Sequence, residues 1–286
     1  MVSVVIVAAE SDPVASRVVE RWGTPPATGE FVDGAAVRQL SGQAILLRRP
    51  GPHITDERLD DRLPASFRAA RPTLVFPSIH RGEQNVRCLT VHPLGNPGAE
   101  AELGGRPRTV VPTDPTLMTG YLRRLAERSG AVGWPATFES THHGPELSLP
   151  ACFVEIGYGT DPGPPDEAVR LLAELLPEPL REGGDRIALG IGGGHYAPHF
   201  TDLALRRRWS FGHLVSRHAL AGTDRTTIEN AYRGTPGADG ILLARAADAD
   251  HPAIAGVAPR LRDGAAALRP IPDGAAIPAD RSSSGT

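Results

Sequence analysis

The chain has 286 residues, of which 40% are hydrophobic and 22% are charged, and its formal net charge is −3. These values are typical of a globular protein, and they exclude a strongly basic one that attracts nucleic acid through its overall charge. The two cysteines, Cys88 and Cys152, exclude a disulfide-rich secreted scaffold and favour a cytoplasmic protein. We find neither a leader-type segment nor an apolar run of the ~20 residues that span a membrane.

Short apolar runs alternate with amphipathic segments along the chain. In the first half we predict strands over residues 3–9, 37–47, 73–76 and 87–92, helices over 15–21 and 116–129, and a helix-like segment over 54–70. In the second half we predict strands over residues 151–156, 186–191 and 240–244, and helices over 167–176, 201–208 and 226–232. This alternation indicates an α/β fold with a single mixed, mostly parallel sheet flanked by helices.

The composition changes near the C-terminus. After residue 246 the chain consists mostly of Ala, Pro, Gly, Asp and Arg. We therefore predict a catalytic α/β domain over residues 1–245 and a divergent tail over residues 246–286, poorly ordered from about Pro270 onward.

A glycine-rich turn follows the apolar strand predicted over residues 186–191. Glycine occupies positions 190, 192, 193 and 194, and His195 comes next. Such a run lets the backbone turn sharply and approach another group closely. The turn thus places a titratable, metal-competent imidazole at the end of a strand.

Histidines stand at or beyond several predicted strand ends, namely His80, His92, His142, His143 and His195. If these strands are parallel neighbours, their imidazoles converge outside the carboxyl ends of the sheet. Glu139 precedes the histidine pair, and Glu155 lies within an apolar strand, where a carboxylate needs a partner. Imidazoles with a carboxylate suit zinc, which lowers the pKa of a bound water to about 7.

Structural explanations stand beside these functional ones. A histidine at a strand end is also typical of a hydrogen-bonded loop residue, and Glu155 equally suits a structural hydrogen bond. The glycine turn also suits a phosphate, although it matches neither the P-loop nor the dinucleotide pattern. Arg206, Arg207 and Arg208 follow on a predicted helix, where they form either a solvated face or a contact to an RNA backbone.

Several motifs together resemble the D-aminoacyl-tRNA deacylase of the type found in archaea and plants. They are Thr-His-His-Gly-Pro at 141–145, Pro-Ala-Cys-Phe-Val-Glu-Ile-Gly at 150–157, Gly-Ile-Gly-Gly-Gly-His-Tyr-Ala-Pro at 190–198, Phe-Gly-His at 211–213, Ser-Ile-His at 78–80 and Thr-Val-His with Gly-Asn at 90–92 and 95–96. The resemblance covers roughly residues 1–245. It implies a fold similar to phosphorylases and peptidyl-tRNA hydrolase, and zinc-dependent hydrolysis of the ester that joins a D-amino acid to tRNA.

Carried over by position, the resemblance implies the following site. The catalytic residues are Glu155, His195 and His142; the zinc ligands are His80, His92 and His143; the substrate-binding residues are Thr141, Gly192, Gly193, Gly194 and Tyr196; and the tRNA-binding residues are Arg206, Arg207 and Arg208. The chain departs from the family pattern at Ile79, where arginine is usual, at His199, and in its C-terminal segment.

The partner expected from this resemblance is D-aminoacyl-tRNA, with neither DNA nor a membrane as a partner, and we expect a monomer. The principal alternative is a zinc-dependent amidohydrolase that acts on small N-acyl or peptide substrates. A non-catalytic RNA-binding module is a third hypothesis, which the negative net charge disfavours.

Overall fold

The structure, a computed structural model, describes residues 1–82, 85–206 and 209–261. Its strands are β1 (Val4–Ala9), β2 (Ala27–Val32), β3 (Ala35–Gln39), β4 (Ala44–Arg49), β5 (Thr73–Ile79), β6 (Arg87–Pro93), β7 (Gly95–Asn96), β8 (Thr109–Val110), β9 (Ala136–Phe138), β10 (Ala151–Tyr158), β11 (Arg186–Ile191), β12 (Trp209–Val215), β13 (Gly240–Leu243) and β14 (Arg260–Leu261). Its helices are α1 (Pro13–Trp22), α2 (Ala65–Arg68), α3 (Pro115–Arg128), α4 (Asp166–Leu175), α5 (Pro198–Arg206), α6 (Arg217–Ala221) and α7 (Arg225–Arg233).

The larger sheet has the strand order β2-β3-β4-β1-β5-β10-β6-β9. Its centre is parallel, because β4, β1, β5 and β10 all run in one direction. β6 runs antiparallel to β10, and β9 runs parallel to β6 at the edge. The expected α/β fold with a mixed, mostly parallel sheet and flanking helices is confirmed.

A second sheet has the order β12-β11-β13-β14, and all of its strands run parallel. The prediction of a single sheet therefore differs from the structure. The periodicity of residues 186–191 identifies a buried strand, but β11 pairs with β12 and β13 instead of joining the larger sheet. Local patterns do not specify strand partners, which tertiary contacts decide.

Asp-Pro pairs begin two of the helices. Asp12 caps α1, because its carboxylate accepts hydrogen bonds from the backbone amides of Val14 and Ala15 at 2.8 and 2.9 Å. Asp114 caps α3 in the same way, through the amide of Leu117. The φ angle of the proline after each aspartate is fixed by its ring at a value that suits the first helical turn.

The two faces of the larger sheet are covered differently. α1, α3 and α4 pack on one face, in a core that also takes in α5 and residues of β12. The other face packs against irregular segments, through buried side chains such as Leu59, Leu94 and Leu149. Loops rather than helices therefore lie over this second face, and the candidate site is on it.

Two regions differ from their predictions. The helix-like segment over 54–70 contains 3₁₀ turns at His53–Thr55 and Leu59–Arg62 and the short helix α2, which begins after Pro64. At the other end, the described fold continues past residue 245, because Ile254 is fully buried and β14 pairs with β13. The tail predicted from Pro270 onward lies outside the described residues, and no helix in the described ranges has the length and apolar character needed to cross a bilayer.

Candidate active site at the junction of the two sheets

Three neighbouring strands place the first side chains of the site on one face of the larger sheet. His80 follows β5, His92 lies in β6 and Glu155 lies in β10 between them. Phe153 is in register with His92, and Glu155 is in register with Ser78, two residues before His80. The predicted convergence is present, but the assumed geometry was wrong, since β6 runs antiparallel to β10 and the site lies over the face of the sheet.

The segment after β9 supplies the next residues and joins the two sheets. The amide of Ser140 donates to the His195 carbonyl oxygen at 2.8 Å, and the amide of Thr141 donates to the Leu214 carbonyl oxygen at 2.7 Å. These bonds hold the segment from Glu139 against the glycine turn. His195 of the second sheet is thereby brought beside the histidines of the first.

A buried carboxylate stands at the centre of one group. Glu139 is fully buried, and its Oε2 lies 2.8 Å from His195 Nε2 while its Oε1 lies 3.1 Å from His80 Nδ1. His80 Nδ1 is also 3.3 Å from Glu155 Oε2, and His80 Nε2 shares a 2.9 Å hydrogen bond with Tyr196 Oη. Two carboxylates thus face one imidazole nitrogen.

The charges of this group stabilise one another. Burial opposes ionisation of Glu139, but the imidazoles of His195 and His80 outweigh it and hold the pKa of this carboxyl well below its ordinary value. Burial likewise opposes ionisation of Glu155, yet His80 and His92 lower its pKa to about 2. Burial lowers the pKa of His80, but the two glutamates more than reverse this and raise it to about 10. The carboxylates are therefore ionised at neutral pH.

Three imidazoles form a second group. One ring nitrogen from each of His92, His142 and His143 lies within 4.8 Å of those of the other two. The Nδ1 atoms of these rings lie 3.1, 2.8 and 2.7 Å from the carbonyl oxygens of Pro93, Ser140 and Gly144, respectively. Since a carbonyl only accepts, each Nδ1 carries a proton. Burial lowers the pKa of His92, but the nearby carboxylate of Glu155 outweighs it and raises this pKa above its ordinary value.

Burial keeps two rings of this group neutral. It holds the pKa of His142 well below its ordinary value and lowers that of His143 to about 4, with the nearby imidazole of His92 acting in the same direction. His92 Nε2 is buried without a hydrogen-bond partner among the described residues. The neutral rings of His142 and His143, each held by a hydrogen bond at Nδ1, therefore present Nε2 in the form in which histidine binds metals.

A loop from the first sheet covers His143. The amide of Gly95 donates to the His143 carbonyl oxygen at 2.7 Å, and the amide of Gly144 donates to the Leu103 carbonyl oxygen at 3.0 Å. A Cβ at Gly144 would lie 2.4 Å from the backbone nitrogen of Gly105, so a side chain there would collide with this loop. These contacts fix His143, whose φ of +43° is unusual for a residue with a side chain.

The glycine turn after β11 forms the other wall of the site. Gly192 and Gly193 have φ angles of +107° and +80°, which favour glycine. The amide of Gly192 donates to the Val215 carbonyl oxygen at 2.9 Å. No described atom lies within 4 Å of where a Cβ at Gly193 would stand, so this part of the turn faces open space.

The predicted residues are brought together, but in different groups. The predicted ligand set of His80, His92 and His143 combines members of both groups, since His142 is the third member of the imidazole group and His80 lies with Glu139. Thr141, predicted to bind substrate, is buried, and its hydroxyl accepts from the Leu214 amide and lies 3.1 Å from His213 Nδ1. We therefore assign Thr141 to holding the loop against β12.

Other predicted residues lie at the edge of this arrangement. Arg206 Nε lies 2.5 Å from Asp202 Oδ1 on the same helix, whereas Arg207 and Arg208 lie outside the described residues. That any of these three arginines contacts tRNA stays a prediction. Glu139, in contrast, was not assigned a role from the sequence; its signal was the Glu-x-x-His spacing to His142.

Comparisons with known proteins identify the family of this chain. A model of the family "D-aminoacyl-tRNA deacylase" matches residues 68–260. The D-aminoacyl-tRNA deacylase of Thermoplasma acidophilum is 36% identical over 172 residues, which are 60% of this chain and 67% of that protein, and that of Methanosarcina mazei is 33% identical over 204 residues, 69% and 67% of the two chains. The crystal structure of AF0625, a conserved protein of unknown function, superposes with a TM-score of 0.75 at 26% identity and covers 85% of this chain and 86% of its own. The chain therefore belongs to the D-aminoacyl-tRNA deacylase family.

Proposed function

We propose that this chain hydrolyses the ester bond of D-aminoacyl-tRNA and releases a D-amino acid and free tRNA. Family membership supports this hydrolase activity over the small-molecule amidohydrolase. The observation that carries the proposal is the convergence of five histidines and two ionised glutamates beside the glycine turn. Ester hydrolysis needs groups that accept and deliver protons, and this site contains them.

We assign the proton transfers to His195. Its side chain is 43% exposed, whereas that of Glu139 is fully buried. Glu139 Oε2 lies 2.8 Å from His195 Nε2, so we assign the proton transfers to the other ring nitrogen, Nδ1. In the proposed reaction a water oxygen attacks the ester carbonyl carbon while Nδ1 takes a proton from that water. When the carbon–oxygen ester bond breaks, the same nitrogen returns the proton to the leaving ribose oxygen.

The glycine turn and Tyr196 complete the polar environment in this proposal. The backbone amides of Gly193 and Gly194 stabilise the negative charge that develops on the carbonyl oxygen. The hydroxyl of Tyr196 shares a hydrogen bond with His80 Nε2. Burial raises the pKa of Tyr196 above its ordinary value, so the hydroxyl stays neutral. A cavity of about 350 Å³ beside His80, lined by residues such as Ile79 and Tyr158, offers space for the aminoacyl group.

Zinc is the proposed cofactor, and the donor set fits it. His92, His142 and His143 would hold one ion through Nε2, and His80, Glu139 and His195 form a second group of possible ligands. The observation that supports the fit is the buried Nε2 of His92, which has no hydrogen-bond partner in the described part of the chain. When bound, zinc supplies Lewis acidity that favours a nucleophilic water at neutral pH. A monomeric state and a cytoplasmic location stay predictions, which size-exclusion chromatography and cell fractionation would check.

The test is release of labelled D-amino acid from D-aminoacyl-tRNA by the purified chain, with the L-aminoacyl-tRNA and a small N-acetyl amide measured in parallel. We expect the wild type to release the D-amino acid from the D-ester. A chelator or the substitution His195→Gln should abolish this release. His218→Gln, which replaces an exposed histidine, should keep it. Cleavage of the small amide without need of tRNA would instead establish the amidohydrolase. Unchanged activity in His195→Gln would remove the assigned role of that residue.

A further inference from the structure

Three parallel strands of the second sheet end side by side at the glycine turn. β11 lies between β12 and β13, and the last residues of these two strands, Val215 and Leu243, are both in register with Ile191. In parallel sheets, ligands bind outside the carboxyl ends of the strands at such a point. Arg217 stands two residues after the end of β12, and Arg245 stands two residues after the end of β13. An arginine therefore follows each strand that flanks the turn.

Arg217 is held beside the glycine turn at its backbone and at its side chain. Its amide donates to the Gly193 carbonyl oxygen at 3.0 Å. Its Nε lies 3.8 Å from Oδ1 of Asp248. The other oxygen of this carboxylate, Oδ2, would lie 2.7 Å from a Cβ at Gly192, so Asp248 packs against the backbone of the turn. The carboxylate thus keeps the guanidinium alongside the turn.

The guanidinium is open to solvent, whereas the carboxylate beneath it is not. The side chain of Arg217 is 53% exposed, and that of Asp248 is 11% exposed. No hydrogen bond joins this guanidinium to an acceptor in the described part of the chain, since the Asp248 oxygen lies beyond hydrogen-bonding distance. Its donors are therefore available to a ligand. Arg245 is also exposed, and the residue before it, Ala244, donates to the Ile191 carbonyl oxygen at 2.8 Å, so a ligand at this edge meets positive charge.

The chemistry of this edge selects a phosphodiester. A guanidinium presents planar donors that match two phosphate oxygens. No described atom lies within 4 Å of a Cβ position at Gly193, so a bulky anion can approach the turn beside Arg217. Gly193 is two residues from His195, where the ester reacts, a span of at most about 7 Å. In the substrate of the proposed reaction, the ester oxygen and the 5′ phosphate of the terminal nucleotide are separated only by carbons of one ribose.

We propose that Arg217 binds the phosphodiester that joins the last two nucleotides of tRNA, with Asp248 as its positioning residue. This proposal rests on the proposed deacylase function. Arg245 adds positive charge on the other side of the turn. The contact fixes the terminal ribose beside the glycine turn and thereby brings the ester to His195. It also favours the end of an RNA chain over a free aminoacyl nucleoside, which has no phosphate at this position.

The experiment compares D-aminoacyl-tRNA with the same tRNA carrying an uncharged methylphosphonate at the last linkage. For the wild type we expect kcat/KM to be about ten- to hundredfold higher on the native linkage, the effect of a hydrogen bond between charged groups. For Arg217→Gln we expect this preference to fall to near one, while activity on the methylphosphonate tRNA stays at the wild-type value. Arg217→Lys keeps the charge without the planar donors and should keep only part of the preference.

Two controls test the specificity of the effect. Arg17 is a matched arginine, since it is 44% exposed and lies 3.2 Å from Asp166, but it stands on α1 at the opposite face of the larger sheet. Arg17→Gln should therefore keep the wild-type preference. A methylphosphonate placed one linkage further from the 3′ end tests the position, because its effect should be the same in the wild type and in Arg217→Gln.

The outcomes separate this contact from the proposed function. A wild type that cleaves neither tRNA contradicts the deacylase function itself. An active wild type that cleaves both tRNAs equally well, or a preference that persists in folded Arg217→Gln, contradicts only the role of Arg217. An effect of Arg217→Gln confined to the next linkage shows that the assigned phosphate is wrong. If Arg217→Gln does not fold, Arg217→Lys decides, since a full wild-type preference in that variant overturns a contact made by the planar guanidinium.

Discussion

Glu139 is the residue that links the two groups of the site. Its Oε2 lies 2.8 Å from His195 Nε2 and 3.7 Å from His142 Nε2. Glu139→Gln keeps the shape of the side chain but removes the charge that orients His195. We expect single-turnover release of the D-amino acid to slow by about 10²–10⁴-fold, the range for a positioned acid–base pair.

A matched substitution separates this effect from a general loss of charge. Glu174 is exposed on α4, where it pairs with Arg128, and Glu174→Gln should keep full activity. Thermal unfolding of both variants shows whether the fold is retained. A folded Glu139→Gln that stays within threefold of the wild type would show that Glu139 has no part in the reaction.

His213 makes the stability of the chain depend on pH. Burial lowers its pKa to about 3, so the ring is neutral in the folded state, while the unfolded chain binds a proton below about pH 6.5. Stability from this group is therefore full above pH 6.5 and is lost as the pH falls toward 3. Between pH 7 and pH 5.5 we expect a loss of about 1 kcal/mol in the free energy of unfolding.

Denaturant unfolding at the two pH values measures this loss, and His213→Gln isolates it. The variant is less stable at pH 7, since its neighbour Thr141 loses a partner, but it should lose about 1 kcal/mol less on acidification than the wild type. His218→Gln shows whether removal of an exposed imidazole has the same consequence. Equal acid sensitivity of wild type and His213→Gln would contradict the assignment.

At the scale of elements, α3 depends on a close contact with the segment after α4. A Cβ at Gly120 would collide with the Leu180 carbonyl oxygen, and both are backbone groups with little freedom to move. We expect Gly120→Ala to destabilise the chain by about 1–3 kcal/mol or more, as overpacking does. Gly130→Ala is the control, because no described atom lies within 4 Å of its Cβ position. Chemical denaturation measures both, and equal stabilities would refute the contact.

The elements that could be predicted are those with local signals. α3 was predicted over 116–129 and runs over Pro115–Arg128, because Asp114-Pro115 marks its start within the chain itself. β12 was not predicted, and for β9 only a strand end near His142 was expected, without bounds. β9 has three residues and gains its pairing from β6, and β12 follows an arginine run and is stabilised by β11. Their formation depends on partners distant in sequence.

In the candidate site, too, the features with local sequence signals were predictable and those that depend on distant partners were not. Histidines at strand ends were visible as polar residues in apolar surroundings, and His80, His92, His142, His143 and His195 do meet in the structure. Their division into two groups was not predictable, because it depends on how the segment after β9 crosses to the second sheet.

At the scale of the whole molecule, the site exists only when the two sheets are docked. His92 comes from the larger sheet, and the bonds from Ser140 and Thr141 to His195 and Leu214 align it with the second. A ligand that binds this assembled site and not the unfolded chain stabilises the whole fold by mass action. Zinc binding to the imidazole group should therefore raise the stability of the whole fold.

We expect zinc at about one hundred times its dissociation constant to stabilise the chelator-treated chain by about 2.7 kcal/mol. For a chain of this size that corresponds to a rise in melting temperature of roughly 4–5 °C. His92→Ala removes one of the three imidazoles and should lose most of this rise, whereas His218→Ala should keep it. Differential scanning calorimetry measures the shift, and native mass spectrometry counts the bound ions. Equal shifts in His92→Ala and the wild type would place the metal elsewhere, and the absence of any shift in the wild type would contradict zinc binding by the folded chain.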